Sequence, residues 1–189
     1  MTTMQNLISR EKVMSELRMA VADTLRLDET AVESGHSLVY DLAAESLDFL
    51  DINYRMEQAF GIKMARHFVL EHAEEVFGEG SMVDELGRLT HRGVSLLQRR
   101  YPEAAISDEM VGVDMGEVPG LITVDAIADT VMGLLATLPR ECRCGATGWS
   151  TADGTHIVCS ACREPAEFVD GDRQIRTWLR AAETEDPLS

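Results

Sequence analysis

Along the first sixty residues the apolar positions form two helical stretches separated by one with no period. From Ser9 onward, Val13, Met14, Leu17, Val21, Thr24 and Leu25 recur at three- and four-residue steps, which places them on one face. Ser9 stands where an N-cap belongs. Residues 27–45 lose the period but keep Val32, Leu38 and Leu42, so they read as a long, anchored loop. A second helix is predicted from about Ser46 to Phe60, with Leu47, Leu50, Met56 and Phe60 as its buried set and Gly61 as its stop.

Two further helical patterns follow between residues 63 and 100. Met64, Phe68, His72 and Val76 fall at strict four-residue steps, and a second pattern opens at Ser81, with Asp84 three residues on in the spacing of a capping box. Gly87 and Gly93 weaken that second pattern. Residues 101–120, rich in Pro, Gly and acids, read as a break. From Thr123, a good N-cap, Val124, Ile127, Ala128, Val131, Leu134 and Leu135 define another amphipathic helix ending near Pro139. Beyond it, CRCGATGWSTADGTHIVCSAC predicts short strands about an Asp153-Gly154 turn, a separate and smaller unit. Ile175, Trp178, Leu179 and Ala182 suit a closing helix packed on that unit.

Charge narrows the function classes. Acids outnumber bases in every third of the chain, and the net charge of −16 repels phosphate backbones, which argues against nucleic acid and for partners with basic surfaces. No stretch approaches the roughly 20 apolar residues of a membrane span, and no signal-peptide pattern opens the chain, so the expected location is cytoplasmic.

The densest candidate chemistry is DLAAESLDFLD at residues 41–51, one serine among carboxylates where loop becomes helix. Ser46 can be read as a helix cap, a nucleophile or an attachment point. A nucleophile needs a base to take its proton, and the flanks offer only carboxylates and leucines, with His36 back in the loop. Attachment needs no activation by the chain itself, and a helix N-terminus favours a phosphodiester through its free N–H groups and dipole.

The segment LDETAVESGHSLVYDLAAESLDFLDINYRMEQAFGI resembles the acyl carrier protein family: a first helix, a long loop, a D-L-x-x-[DE]-S-L-[DE] motif and an acidic second helix closing on Phe-Gly-Ile. Leu121-Ile-Thr-Val-Asp-Ala-Ile-Ala is similar to that family's closing helix. The resemblance implies that Ser46 bears 4′-phosphopantetheine, added from coenzyme A by a Mg²⁺-dependent phosphopantetheinyl transferase, and that the chain is a carrier rather than an enzyme. It implies docking by acyl-loading, synthase or acyltransferase enzymes on Glu45, Asp48, Asp51 and Glu57, with Leu47 as the apolar contact beside the arm. Glu45 replaces the family's usual Asp, and Arg55 adds a positive charge to an acidic helix. About 58 residues, 63–120, stand where the family has a short stretch; they read as a helical cover, or else as a lid or extra docking surface. His67, Glu71, His72 and Glu75 there read as a polar helix face rather than a metal site.

Cys142-x-Cys144 and Cys159-x-x-Cys162 flank the predicted turn as in a zinc ribbon, two thiolates from each side of one tetrahedral Zn²⁺. Four thiolates leave no open position, so the metal is expected to be structural. His156 reads as an ordinary hairpin residue, or else as a substitute ligand. The sequence thus predicts a mostly α fold: an acyl-carrier-like four-helix bundle with inserted helices over residues 1–139, then a small zinc ribbon with a short helix over residues 140–189. The function expected is a specialised carrier of acyl thioesters for a lipid or polyketide-type pathway. The alternative is an acidic helical adaptor with a structural zinc ribbon and no prosthetic group.

Overall fold

A computed structural model describes residues 7–102 and 104–185. Ser9 caps α1 (Arg10–Leu25) as its spacing predicts, its hydroxyl accepting the Lys12 N–H at 3.2 Å. Val13, Met14, Leu17 and Val21 are buried, whereas Thr24 is half-buried and donates to Asp51 at 2.6 Å. Helix α2 (Ser46–Phe60) has the predicted bounds and stops at Gly61, whose φ of 67° is left-handed. Thr123 caps α5 (Val124–Leu135), accepting the Ala126 N–H at 3.2 Å.

Helices α2 and α5 both pack on α1, and one apolar core joins all three with Val32 and Leu38 of the anchored loop. Arg10 clamps the far ends together through Asp125 at 2.7 Å and Asp129 at 2.8 Å. The buried set of α2 differs from the expectation. Ile52, Met56 and Phe60 are sealed, while Leu47 is 76% exposed and Leu50 62%. At about 100° per residue, positions 47, 50 and 54 form one stripe, and 52, 56 and 60 form another nearly opposite it. The helix is apolar on two faces, and α1 takes the second.

The inserted stretch builds a second core. Helix α3 (Val69–Phe77) is shorter than its four-step pattern, because Glu71 accepts the Phe68 N–H at 2.8 Å and fixes the start there. Met64 belongs instead to the first core. The expected helix opening at Ser81 is a turn: Asp84 accepts the N–H groups of Leu86 and Arg88, both at 2.9 Å, and Gly87 takes a φ of 74°. Helix α4 (His91–Arg100) begins later, with Thr90 as its cap. Gly93 lies within it because a Cβ there would come 2.3 Å from the Met82 carbonyl oxygen. Among the described residues of 101–121 lie two 3-10 turns, Asp108–Met110 and Met115–Leu121.

Strands β1 (Trp149–Thr151) and β2 (Ile157–Cys159) pair antiparallel in the register Trp149 to Cys159. The hairpin is not detached, since Ile157 and Ala166 are buried in the core of α1, α2 and α5. Helix α6 (Gly171–Glu185), expected on the hairpin, packs instead on α3, with Ile175 and Leu179 buried in the second core. His72, expected on a polar face, is fully buried at this joint, its Nε2 3.0 Å from Asp172 Oδ1. Gly171 makes the joint possible: its N–H donates to Lys63 O at 2.8 Å, and a Cβ would fall 2.2 Å from the Ala65 nitrogen. Gly171→Ala is expected to cost about 2–3 kcal/mol, since backbone must move to admit the methyl. A chemical melt read by Trp178 fluorescence measures it. Among the described residues no helix is long and apolar enough to cross a membrane.

Candidate functional site

The loop that delivers Ser46 is held in place before the helix begins. The Ser37 hydroxyl donates to Gly120 O at 2.7 Å and accepts the Tyr40 N–H at 3.0 Å, while Leu38 N donates to Ile122 O at 3.2 Å. Tyr40 reaches Glu117 through its hydroxyl at 2.9 Å. Ala43 then turns the chain with a φ of 57°, a left-handed conformation costing an alanine about 1 kcal/mol, which the surrounding bonds sustain. The segment leading into α2 is therefore stapled to the segment leading into α5.

Ser46 is not the cap. Glu45 holds the N-cap position with extended backbone, and Asp48 accepts its N–H at 2.8 Å. Ser46 is the first helical residue, exposed, and its hydroxyl has no hydrogen-bond partner among the described residues. The helix N-terminus is intact while the serine oxygen stays uncommitted.

The acids read as a docking face divide into two kinds. Glu45 is exposed. Asp51 is engaged within the fold: hydrogen bonds from Thr24 and from Arg55 at 2.8 Å hold its carboxyl below the ordinary range. Arg55 also reaches Asp23 at 3.2 Å, so the unusual cation of α2 is absorbed by an ion-pair network. Glu57 accepts the Met64 N–H at 2.9 Å. Beside Glu45 and Asp48 runs the outward stripe of Leu47, Leu50 and Tyr54, of which the sequence reading singled out only Leu47 for the surface. The three-and-four spacing from 47 was the available signal.

A cavity of about 660 Å³ opens beside Ser46. Its walls come from α2 and α5, from residues 64–69 and from Arg100 and Tyr101 at the end of α4. Nothing local in the sequence marks Arg100 or Tyr101 as neighbours of Ser46.

At the other end, the four cysteine sulfurs lie within 4.8 Å of one another, with Cys142 to Cys162 at 3.6 Å and Cys144 to Cys159 at 3.7 Å. Four thiolates about 2.3 Å from a tetrahedral ion stand about 3.8 Å apart, whereas a disulfide needs about 2.05 Å. The separations fit a metal. Gly145, with a φ of 85°, closes the first turn by donating to Cys142 O at 2.8 Å. In the second, the N–H groups of Cys162 and Ala161 pull the Cys159 thiol down to about 6, whereas the neighbouring Cys142 and Cys162 thiols are shifted upward. His156 stays outside, its Nδ1 2.8 Å from Asp153 Oδ2. Among the described residues these cysteines are the one group placed to share an ion; His67, Glu71, His72 and Glu75 do not form another.

Comparison with known proteins bears on the first of these sites. Residues 15–74 match the family model described as the phosphopantetheine attachment site. The acyl carrier protein of Thermotoga maritima is 36% identical over 56 residues, 30% of this chain and 69% of the relative. That of Rubrobacter xylanophilus is 31% identical over 77 residues, 41% of this chain and 90% of the relative. That of Clostridium acetobutylicum is 32% identical over 72 residues, 38% and 88% respectively. No solved structure gives a significant match. The family match runs on to residue 74, into the stretch read as inserted, although in space it is α5 that packs beside α2 on α1. With relatives above 30% identity spanned over most of their length, this chain belongs to the acyl carrier protein family, whose members are non-catalytic carriers with a phosphopantetheine attachment site.

Proposed function

We propose that the chain carries acyl groups as thioesters on a 4′-phosphopantetheine arm attached to Ser46, and presents them to enzymes of a lipid or polyketide-type pathway. The observation that carries this reading is the uncommitted, exposed Ser46 hydroxyl at the start of α2, inside the matched segment. In the transfer, Ser46 Oγ forms a bond to the phosphorus bearing the pantetheine while the pyrophosphate bond of coenzyme A breaks. The nucleotide 3′,5′-bisphosphate leaves, and the hydroxyl proton passes to a base on the transferase. The new phosphodiester then faces the free N–H groups and positive dipole end of α2. The arm supplies the thiol chemistry, and the protein supplies placement and recognition.

Basic partner surfaces dock on Glu45, Asp48, Asp51 and Glu57, with the Leu47, Leu50 and Tyr54 stripe as the apolar anchor. The four cysteines hold one structural Zn²⁺, in keeping with a reducing, cytoplasmic setting. Co-expression with a broad-specificity phosphopantetheinyl transferase, followed by intact-mass measurement, is expected to show one added arm. An unchanged mass overturns the carrier reading and leaves an acidic adaptor.

A further inference from the structure

The cavity beside Ser46 has an unusual charge for this protein. The chain carries a net charge of −16, yet the ionisable groups lining the cavity include Arg66, Arg100 and His67 against a single acid, Glu45, which neighbours Ser46. The rest of the lining is largely apolar, including Phe49, Met64 and Ile127. Its volume of about 660 Å³ falls within the roughly 300–1,000 Å³ of small-molecule sites.

Arg100 is the telling residue. It forms no ion pair among the described residues, although acids outnumber bases throughout the chain. Its Nε is buried with no hydrogen-bond partner, and its guanidinium lies 5.6 Å from the ring centroids of both Tyr101 and Trp178. The aromatic rings hold the planar group in position without satisfying its donors. A partly buried guanidinium without an anion is costly, and a ligand carboxylate reverses that cost through charge-assisted, bidentate bonds. Tyr101 adds a second donor: burial raises its phenol above the ordinary value despite the opposing charge of Arg100, so it stays protonated near neutral pH. Its hydroxyl also lacks a partner among the described residues.

We propose that Arg100, with Tyr101, makes this cavity select arm-borne cargo that ends in a carboxylate. The proposal rests on Ser46 being the attachment point. Ser46 itself lines the cavity, so tethered cargo meets it at the high effective concentration of a short linker rather than as a free ligand. The inserted residues 63–120 contribute the cationic wall and α2 and α5 the apolar one, which makes the insertion a specificity element as well as a cover.

The test loads the full-length protein, through a broad-specificity transferase, with arms from octanoyl- or octanedioyl-coenzyme A, the second thioesterified at one end only. Intact mass confirms each product. Hydroxylamine then attacks the thioester carbonyl, the C–S bond breaks, the arm's thiol leaves, and the rate is followed by mass. The carboxylate-ended cargo is expected to be cleaved roughly tenfold more slowly than the octanoyl one, the effect of one charge-assisted hydrogen bond. Arg100→Gln is expected to bring the two rates together, and Arg100→Lys to keep part of the difference. Equal rates in the wild type, or a difference that survives Arg100→Gln, overturn the proposal. So does an Arg100→Gln effect equal for both cargoes, which assigns the arginine to the arm. A protein that takes no arm overturns the carrier reading and this proposal together, whereas a loaded protein without discrimination overturns this proposal alone.

Discussion

Ser46→Ala is expected to abolish arm attachment completely and to leave the thermal melt almost unchanged. Both halves follow from its position. Oγ is the one atom through which the phosphodiester forms, and no neighbouring hydroxyl in DLAAESLDFLD can replace it. Structurally the side chain is dispensable: it is exposed, makes no hydrogen bond among the described residues and does not cap α2, since Asp48 secures the Glu45 N–H at 2.8 Å. Alanine at a first helical position is at least as favourable as serine, so stability should shift by no more than about 0.5 kcal/mol. Asp48→Ala should behave in the opposite way, removing a capping partner at a cost of about 1 kcal/mol while leaving the hydroxyl in place. Mass and melt measured on the same samples separate the roles. An arm that persists in Ser46→Ala would move the attachment point elsewhere.

Chelation of the Zn²⁺ proposed for the four cysteines is expected to unfold residues 140–168 and to weaken the bundle with them. A unit of this size has little core of its own, and structural zinc supplies about 10–16 kcal/mol of apparent binding energy in comparable small sites. Without the ion, four thiolates held within 4.8 Å repel or protonate, and the turns that present them lose their constraint. The damage should spread because the hairpin inserts Ile157 and Ala166 into the core of α1, α2 and α5. Withdrawing a buried isoleucine costs about 2–5 kcal/mol when a cavity is left behind. Metal analysis should give one Zn²⁺ per chain, and hydrogen exchange after chelation should rise first in β1 and β2, then in α5. Cys142→Ser and Cys159→Ser, each removing one buried ligand, should reproduce the effect at lower chelator concentration. A metal-free protein with the hairpin intact would sink the zinc assignment.

Ser9, Gly61 and Thr123 declared the helix ends because a cap is satisfied by groups within three or four residues of it. The same logic misled at Ser81 and Asp84, where the carboxylate served a turn with Leu86 and Arg88 instead of a helix start, and the glycine at 87 was the better signal. In α2 the periodicity was real but double. Leu47 and Leu50 fit a helical face as well as Ile52 and Met56 do, and only the approach of α1 decided which leucines met solvent.

The sequence by itself determined the helices of the bundle, the serine presented at the start of α2, and the cysteine spacing that gathers four sulfurs, because each depends on neighbours a few residues apart or on one short hairpin. The tertiary structure decided what those parts touch. It buried His72 against Asp172, one hundred residues away; it placed α6 on α3 and fused the hairpin to the bundle core; and it brought Arg100 and Tyr101 to the cavity that Ser46 lines. Such contacts arise from the mutual burial of apolar faces, which is non-directional. A pattern along the chain therefore states that a face will be covered, but not by which element.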